Sequence, residues 1–253
     1  MKALVTGASG VLGNELCKVL QRENIAFKAA GRSKVEGAEW SFLDLKTGEG
    51  TDESLKGVDV VFHLASATKG FDRAVDVEGT KQFAEAAKKS GVKHFIFISI
   101  VGTDSVNMVY YQIKTEAEKV IRYSGINYSI LRATQFHGLI DQFFSWILML
   151  PVAFIGKGLK FQVIEPRVVA EKLFEISKAA PLNNVVNLGG KETLDMRTMA
   201  EQWLQAQNKK SWLINFPVVG SMMKQIANGN LTCEESAADS ITWKEWLKNK
   251  YGA

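Results

Sequence analysis

The segment Thr6-Gly7-Ala8-Ser9-Gly10-Val11-Leu12-Gly13 constrains this chain more than any other, because it sets three glycines three apart at the junction of a strand and a helix. Residues 2–6 before it read as a short buried strand, and Leu12, Leu16, Val19 and Leu20 after it recur at helical spacing. Gly7 and Gly10 permit a tight turn and close approach of backbone to a diphosphate. Gly13 lets helix and strand pack closely, and the helix N-terminus offers N–H donors and a positive dipole. A glycine-rich turn standing alone more often only connects two elements. In this strand–turn–helix context Gly7, Ser9, Gly10, Val11 and Leu12 are the expected phosphate-binding residues.

From residue 1 to about 135, short β-branched runs alternate with helical patterns, the signature of βαβ units and a parallel sheet. Strands are expected at 2–6, 26–31, 38–43, 58–64, 94–99 and 127–132. Val77, Phe83, Ala84 and Ala87 mark a second helical stripe, which Gly91 ends. The predicted fold is α/β: a Rossmann-type doubly wound parallel sheet over 1–135, then a substrate-capping region over 136–253 that partly returns to the core sheet and ends in a small helical lobe. In that region the pattern predicts strands at 160–164 and 184–188 and a helix from Val168 to Lys178. Helical segments follow at 196–207 and through 241–247. Ligands of such sheets bind outside the carboxyl ends of the strands, so the capping region is expected to choose the substrate.

Composition narrows the function. With 46% hydrophobic and 23% charged residues in 253, the chain has the make-up of a globular protein, and a net charge of +4 spread over scattered lysines gives no nucleic-acid signature. Two distant cysteines, Cys17 and Cys233, indicate neither a disulfide framework nor a metal site and point to a reducing, cytoplasmic setting. The N-terminus reads directly as a strand, without a signal peptide. The apolar run 143–155 is broken by Ser145 and Pro151 and falls short of the roughly 20 residues of a spanning helix, so it is expected to pack or to line a pocket. A small molecule is the expected partner, and a monomer is consistent with the sequence.

The second strand decides the cofactor. NAD-binding Rossmann units place a carboxylate there to accept from the ribose 2′-OH, whereas this chain has Gly31-Arg32-Ser33-Lys34. A guanidinium and a hydroxyl suit a 2′-phosphate, so Arg32 points to NADP(H), although a solvated loop arginine is the plain alternative. Asp44 and Leu45, after the third strand, stand where the adenine edge is expected, and Asp44 is also an ordinary turn residue.

With TGASGVLG (6–13), HLAS (63–66), DVEGT (76–80), FISIVG (97–102), YYQIK (110–114), LRATQFH (131–137) and SITWKEWL (240–247), the chain resembles an atypical, NmrA-like short-chain dehydrogenase/reductase. The resemblance implies that Leu64, Ala65 and Ser66 join the cofactor site and that Tyr110 and Lys114 are the catalytic Tyr-x-x-x-Lys. Four residues apart on a helix, the two share a face. In the family the Lys ammonium holds the nicotinamide ribose and lowers the phenol pKa, so that the phenol exchanges a proton with a substrate oxygen. Ser99 is the nearest match to the family's substrate-orienting hydroxyl. Ile100 stands where many relatives have a second hydroxyl, and Thr103 or Ser105 could substitute. Asp76, where many relatives carry Asn, is read as structural. Gln135, Phe136 and His137 follow the sixth strand as candidate substrate contacts, with His137 either a second proton donor or a structural histidine. The resemblance implies an NADPH-dependent oxidoreductase acting on a small apolar carbonyl or quinone. A non-catalytic NADP(H)-sensing regulator or assembly factor is the alternative, and a nucleotide-sugar epimerase is the third reading.

Overall fold

The computed structural model describes residues 1–67 and 72–252. In chain order it forms β1 (Lys2–Thr6), α1 (Val11–Arg22), β2 (Ala26–Gly31), β3 (Glu39–Phe42), α2 (Thr51–Leu55) and β4 (Val60–His63). A single π-helical segment (Ala74–Gly79) then runs into α3 (Thr80–Lys89), followed by β5 (His94–Ile100), α4 (Val109–Ser124), β6 (Tyr128–Ala133) and α5 (His137–Ile147). The remainder is β7 (Val152–Gly156), β8 (Lys160–Phe161), α6 (Pro166–Lys178), β9 (Val185–Leu188), β10 (Leu194–Asp195), α7 (Met196–Ala206), β11 (Trp212–Phe216), α8 (Gly220–Ala227) and α9 (Trp243–Tyr251).

These elements make two compact units that interleave along the chain, one of residues 1–99, 109–132 and 169–186, the other of 100–108, 133–168 and 187–253. Seven strands form one sheet in the order β3-β2-β1-β4-β5-β6-β9. The pairs β3/β2, β2/β1, β1/β4 and β4/β5 are parallel. The doubly wound Rossmann architecture expected from the alternating pattern is therefore the one observed. Strand order reverses between β1 and β4, whose last residues, Thr6 and His63, are register partners. That reversal opens the crevice in which sheets of this plan bind ligands.

In the first unit Leu4, Val61, Phe95 and Phe97 of the sheet pack with Phe83, Ala84 and Ala87 of α3 and Ala117 and Ile121 of α4. Those helix residues recur at three- and four-residue spacing, which turns one face of each helix onto the sheet. The π-helical segment departs from the regular helix that the sequence pattern suggests. Within it Gly79 lies so close to the Leu45 carbonyl that a Cβ would collide with it, so a larger residue could not pass here. The extra residue of a π-turn re-aims its neighbours, and Asp76 is left buried.

His63 sits at the centre of this core, fully buried, its ring 5.4 to 5.7 Å from those of Phe83, Phe95 and Phe97. Its nitrogens are satisfied by the hydroxyls of Thr6 (2.9 Å) and Thr80 (3.0 Å), which ties the ends of β1 and β4 to α3. The second unit contains a two-stranded parallel ribbon, β7 with β11, that no sequence pattern announced. The apolar run 143–155 divides between α5 and β7 and leaves Trp146, Met149, Leu150 and Phe154 exposed, so only part of it packs as expected. Among the described residues no helix is long and apolar enough to cross a membrane.

All three histidines are buried, and burial depresses each: His63 from 6.5 to about 3, His94 to about 4, and His137 in the same direction. A depressed folded pKa means that the unfolded chain binds the extra proton, so this stability is complete above about pH 6.5 and is lost as pH falls. Chemical denaturation at a series of pH values should show unfolding free energy dropping below that point, by about 1.4 kcal/mol per pH unit for each histidine that protonates only on unfolding. A folded His63→Gln variant should show a shallower fall. An unchanged slope would remove His63 from the account.

Candidate functional site

The glycine turn lies at the switch point. Gly7 has φ +70°, and a Cβ there would come within 2.8 Å of the Ala65 backbone, so Gly7 serves both a left-handed conformation and a close approach of β1 to β4. A Cβ on Gly13 would strike the Gly7 carbonyl, which fixes α1 against the turn, and one on Gly10 would press on the same carbonyl less closely, at 3.2 Å. Gly10 is the N-cap of α1 and supplies no side-chain cap, so the first N–H groups of the helix are offered outward, and Ser9, Gly10 and Val11 are exposed. Leu12 is buried. Such a cradle fits a diphosphate: the donors are present, and the glycines keep the approach clear.

The other expected cofactor residues frame this crevice or flank it. Leu64 and Ala65 donate their N–H groups to Thr6 Oγ1, both at 3.2 Å, and Ser66 Oγ donates to Asp76 Oδ1 at 2.5 Å. Arg32 and Ser33 are exposed beyond β2, with Trp40 Nε1 donating to the Ser33 carbonyl. Asp44 accepts from the Lys46 N–H at 2.8 Å, the geometry of an Asx turn, while Leu45 is buried beneath Gly79.

Tyr110 and Lys114 lie together in α4, Tyr110 half-buried and Lys114 buried. The Lys114 ammonium stands 5.1 Å from the Phe97 ring centre and 5.9 Å from that of Tyr110. Burial lowers the Lys114 pKa, against the pull of Asp76 and Glu118. Tyr110 goes the other way from the family expectation. Burial, with the nearby Asp76 carboxylate and then Tyr111, pushes its phenol up to about 12, so it is held neutral. Asp76 thus belongs to the electrostatics of the pair, a role the sequence reading did not give it.

Ser99 is buried at the end of β5, where its hydroxyl donates to Glu118 Oε1 at 2.6 Å. Glu118 also accepts from Arg132 Nε and Nη2, each at 2.8 Å, and from Arg122 at 3.1 Å, binding β5, α4 and β6 through one buried carboxylate. To donate to a substrate oxygen, Ser99 would have to give up a charge-assisted bond. The sequence carried a signal for this: Glu118 interrupts the apolar face formed by Ile113, Ala117 and Ile121, one turn beyond Lys114.

In the second unit, Gln135 and Phe136 lead into α5. Ile164 N donates to the Gln135 carbonyl, and His137 N donates to Ile164. Fully buried, His137 stacks on Trp246 (5.5 Å) and Trp243 (6.1 Å) and is held neutral by burial. Its neighbours are the tryptophans of the 240–247 motif, so the motifs LRATQFH and SITWKEWL are two halves of one packing unit.

A glycine cradle at a sheet reversal, beside a helix bearing Tyr-x-x-x-Lys, defines a dinucleotide-binding Rossmann protein of the short-chain dehydrogenase/reductase type. The family described as NAD(P)H-binding matches residues 7–138, just over half of the chain, and the chain belongs to it. Over 156 residues it is 31% identical to the photosystem II assembly factor Ycf39 of Cyanophora paradoxa, a match covering 56% of this chain and about half (48%) of that protein. Its fold is similar to that of a nucleoside-diphosphate-sugar epimerase from Staphylococcus aureus (TM-score 0.81, 21% identity, covering 98% and 100% of the two chains). It is equally similar to an NADPH-dependent quinone oxidoreductase from Escherichia coli in complex with NADPH (TM-score 0.82, 19% identity, 99% and 100% covered).

Two substitutions separate ligand space from packing. Gly10→Val puts a branched side chain at the mouth of α1 with only a mild 3.2 Å contact to the Gly7 carbonyl, so dinucleotide affinity should drop by roughly a hundredfold while circular dichroism stays native. Gly13→Ala drives a methyl into the Gly7 carbonyl and should cost about 2 kcal/mol or more of stability. Calorimetric titration and thermal melts distinguish the outcomes. Full affinity in Gly10→Val would place the phosphates elsewhere.

Proposed function

We propose that the protein is an NADPH-dependent oxidoreductase that reduces a small apolar carbonyl or quinone. The observation that carries this reading is the neutral Tyr110 phenol one helical turn from the buried Lys114 ammonium. When bound, a reduced nicotinamide supplies the hydride. Tyr110 donates its proton to the substrate oxygen as the carbon is reduced, the task for which a phenol held protonated is suited. Lys114, already desolvated over Phe97, holds ribose hydroxyls and stabilises the tyrosinate that proton donation leaves. Arg32, Ser33 and Lys34, exposed with no carboxylate among them, favour a 2′-phosphate and hence NADP(H). Gln135 and Phe136 remain the proposed substrate contacts, whereas the stacked, neutral His137 is better suited to holding the loop in place than to supplying a proton.

The second reading, an NADP(H)-sensing assembly or regulatory factor, draws support from two observations. Ser99 donates to Glu118, which weakens the substrate-orienting hydroxyl, and one relative is a photosystem II assembly factor.

NADPH oxidation against quinones, aldehydes and ketones tests the first reading. Tyr110→Phe should keep cofactor affinity and lose about 10²-fold or more in turnover, and Lys114→Ala should lose both. Wild-type turnover by Tyr110→Phe would exclude the pair as catalytic. A wild type that binds NADPH but oxidises none of it across the panel would support the sensor. For the cofactor, NADP(H) should bind about tenfold or more tighter than NAD(H), with Arg32→Glu reversing the order. Equal affinities would remove Arg32 from the argument.

A further inference from the structure

The second unit carries an apolar surface that the reductase reading does not use. In the β7/β11 ribbon, Val152 pairs with Trp212 and Phe154 with Ile214, so their side chains share one face. The opposite face holds Ala153 and Ile155, both buried. The shared face is bare: Phe154 is 66% and Trp212 79% exposed, with Ile214 and Phe216 also exposed. Where β7 begins, Trp212 N donates to the Pro151 carbonyl and Ser211 Oγ to that of Leu150. This joins the ribbon to the exposed Met149 and Leu150 (75% and 67%) at the end of α5. Monomeric proteins rarely leave so many large apolar side chains together in water.

Charge identifies what covers this face. The two segments that build it, 142–164 and 202–233, contain Lys157, Lys160, Lys209, Lys210 and Lys224 and no Asp or Glu. Of the acids that flank them, Asp141, Glu165 and Glu201 are paired with Lys250, Arg167 and Arg197, and Glu234 follows the second segment. The two segments therefore carry more positive charge than the whole chain, whose net is +4. The lysines stand at both ends of the ribbon. Lys209 and Lys210 precede β11, and Lys157 follows β7, its N–H donating to Phe216. Exposed tryptophan and aliphatic residues bordered by lysine match an interface that is apolar within and anionic at its surface. A second copy docked face to face would set a positive rim against a positive rim, and a nucleic acid offers little for Met149, Leu150, Val152 and Ile214 to bury against.

We infer that the β7/β11 face docks this protein peripherally on an anionic lipid surface. The apolar side chains enter the headgroup region and the lysines hold the phosphates. The inference is independent of the catalytic reading, since none of these residues belongs to the glycine cradle or to the Tyr110–Lys114 pair. Vesicle flotation tests it, with the full chain and phosphatidylcholine vesicles containing or lacking phosphatidylglycerol. Wild type should float with the anionic vesicles at low salt, with a blue shift of tryptophan emission, and should stay behind with phosphatidylcholine alone or at high salt. Phe154→Asp/Trp212→Asp and, separately, Lys209→Glu/Lys210→Glu should each reduce partitioning by about tenfold or more. Unchanged melting temperatures would show that both variants are folded. The inference is overturned if wild type ignores anionic vesicles or if folded variants bind as wild type does. It is also overturned if light scattering finds a dimer that these substitutions dissolve, or if a single-stranded oligonucleotide binds where vesicles do not.

Discussion

One threonine hydroxyl holds the switch point together. Thr6 Oγ1, buried at the end of β1, takes the N–H groups of Leu64 and Ala65 and contacts His63, which reaches Thr80 in turn. Where β1 and β4 end, ladder bonds run out and backbone N–H groups must find other partners or pay for their burial. The hydroxyl supplies them, and in doing so draws the Leu64–Ala65 backbone so near to Gly7 that only glycine fits. Position 7 and the N-terminus of α1 are therefore set by a buried polar network and not by the turn sequence alone. A neutral His63 is part of it, because an imidazolium among three phenylalanines would be costly to bury.

The same economy governs the charges of α4. Lys114 and Glu118 occupy the face that packs on the sheet, where isolated charges would be prohibitive. Glu118 meets this with two arginines and Ser99, a network satisfied within the fold. Lys114 has no such set: its ammonium lies over aromatic rings, with Asp76 acting on it electrostatically. One buried charge is thus structural, and the other keeps donors that a ribose could take.

The sheet was legible in the sequence because period-two and period-3.6 patterns are local, and strands β1, β2 and β9 fall within a residue of their expected bounds. The cradle was legible for a different reason, since glycine marks positions where backbone must approach backbone. What could not be read depends on pairing between distant segments. The π-turn that buries Asp76 ends where Gly79 meets the Leu45 carbonyl, a contact between distant segments. The capture of Ser99 by Glu118 joins residues 19 apart. The partnership of His137 with Trp243 and Trp246 bridges more than a hundred positions. For a strand-end serine and a lone histidine the sequence leaves a catalytic and a structural reading open, and only the partners bear on the choice. Tyr110 is the subtler case: its spacing to Lys114 was visible, but the direction of its pKa depends on burial and on Asp76, neither of which spacing encodes.

The β7/β11 ribbon meets one requirement on its buried face and another on its exposed face. A two-stranded sheet is marginal in water, and a parallel one needs long connections as well, so its formation here depends on burying Ala153 and Ile155. That requirement fixes one face only. Alternation would allow serine, threonine or lysine at every second position of the other face at no cost to packing. The chain instead places Val152, Phe154, Trp212, Ile214 and Phe216 there, and within 142–164 and 202–233 it has five lysines and no carboxylate. Folding stability does not ask for large apolar side chains in water, and solubility opposes them. Their joint occurrence with one sign of charge is explained by a contact that the isolated chain does not make, with a surface that is apolar beneath and negative above.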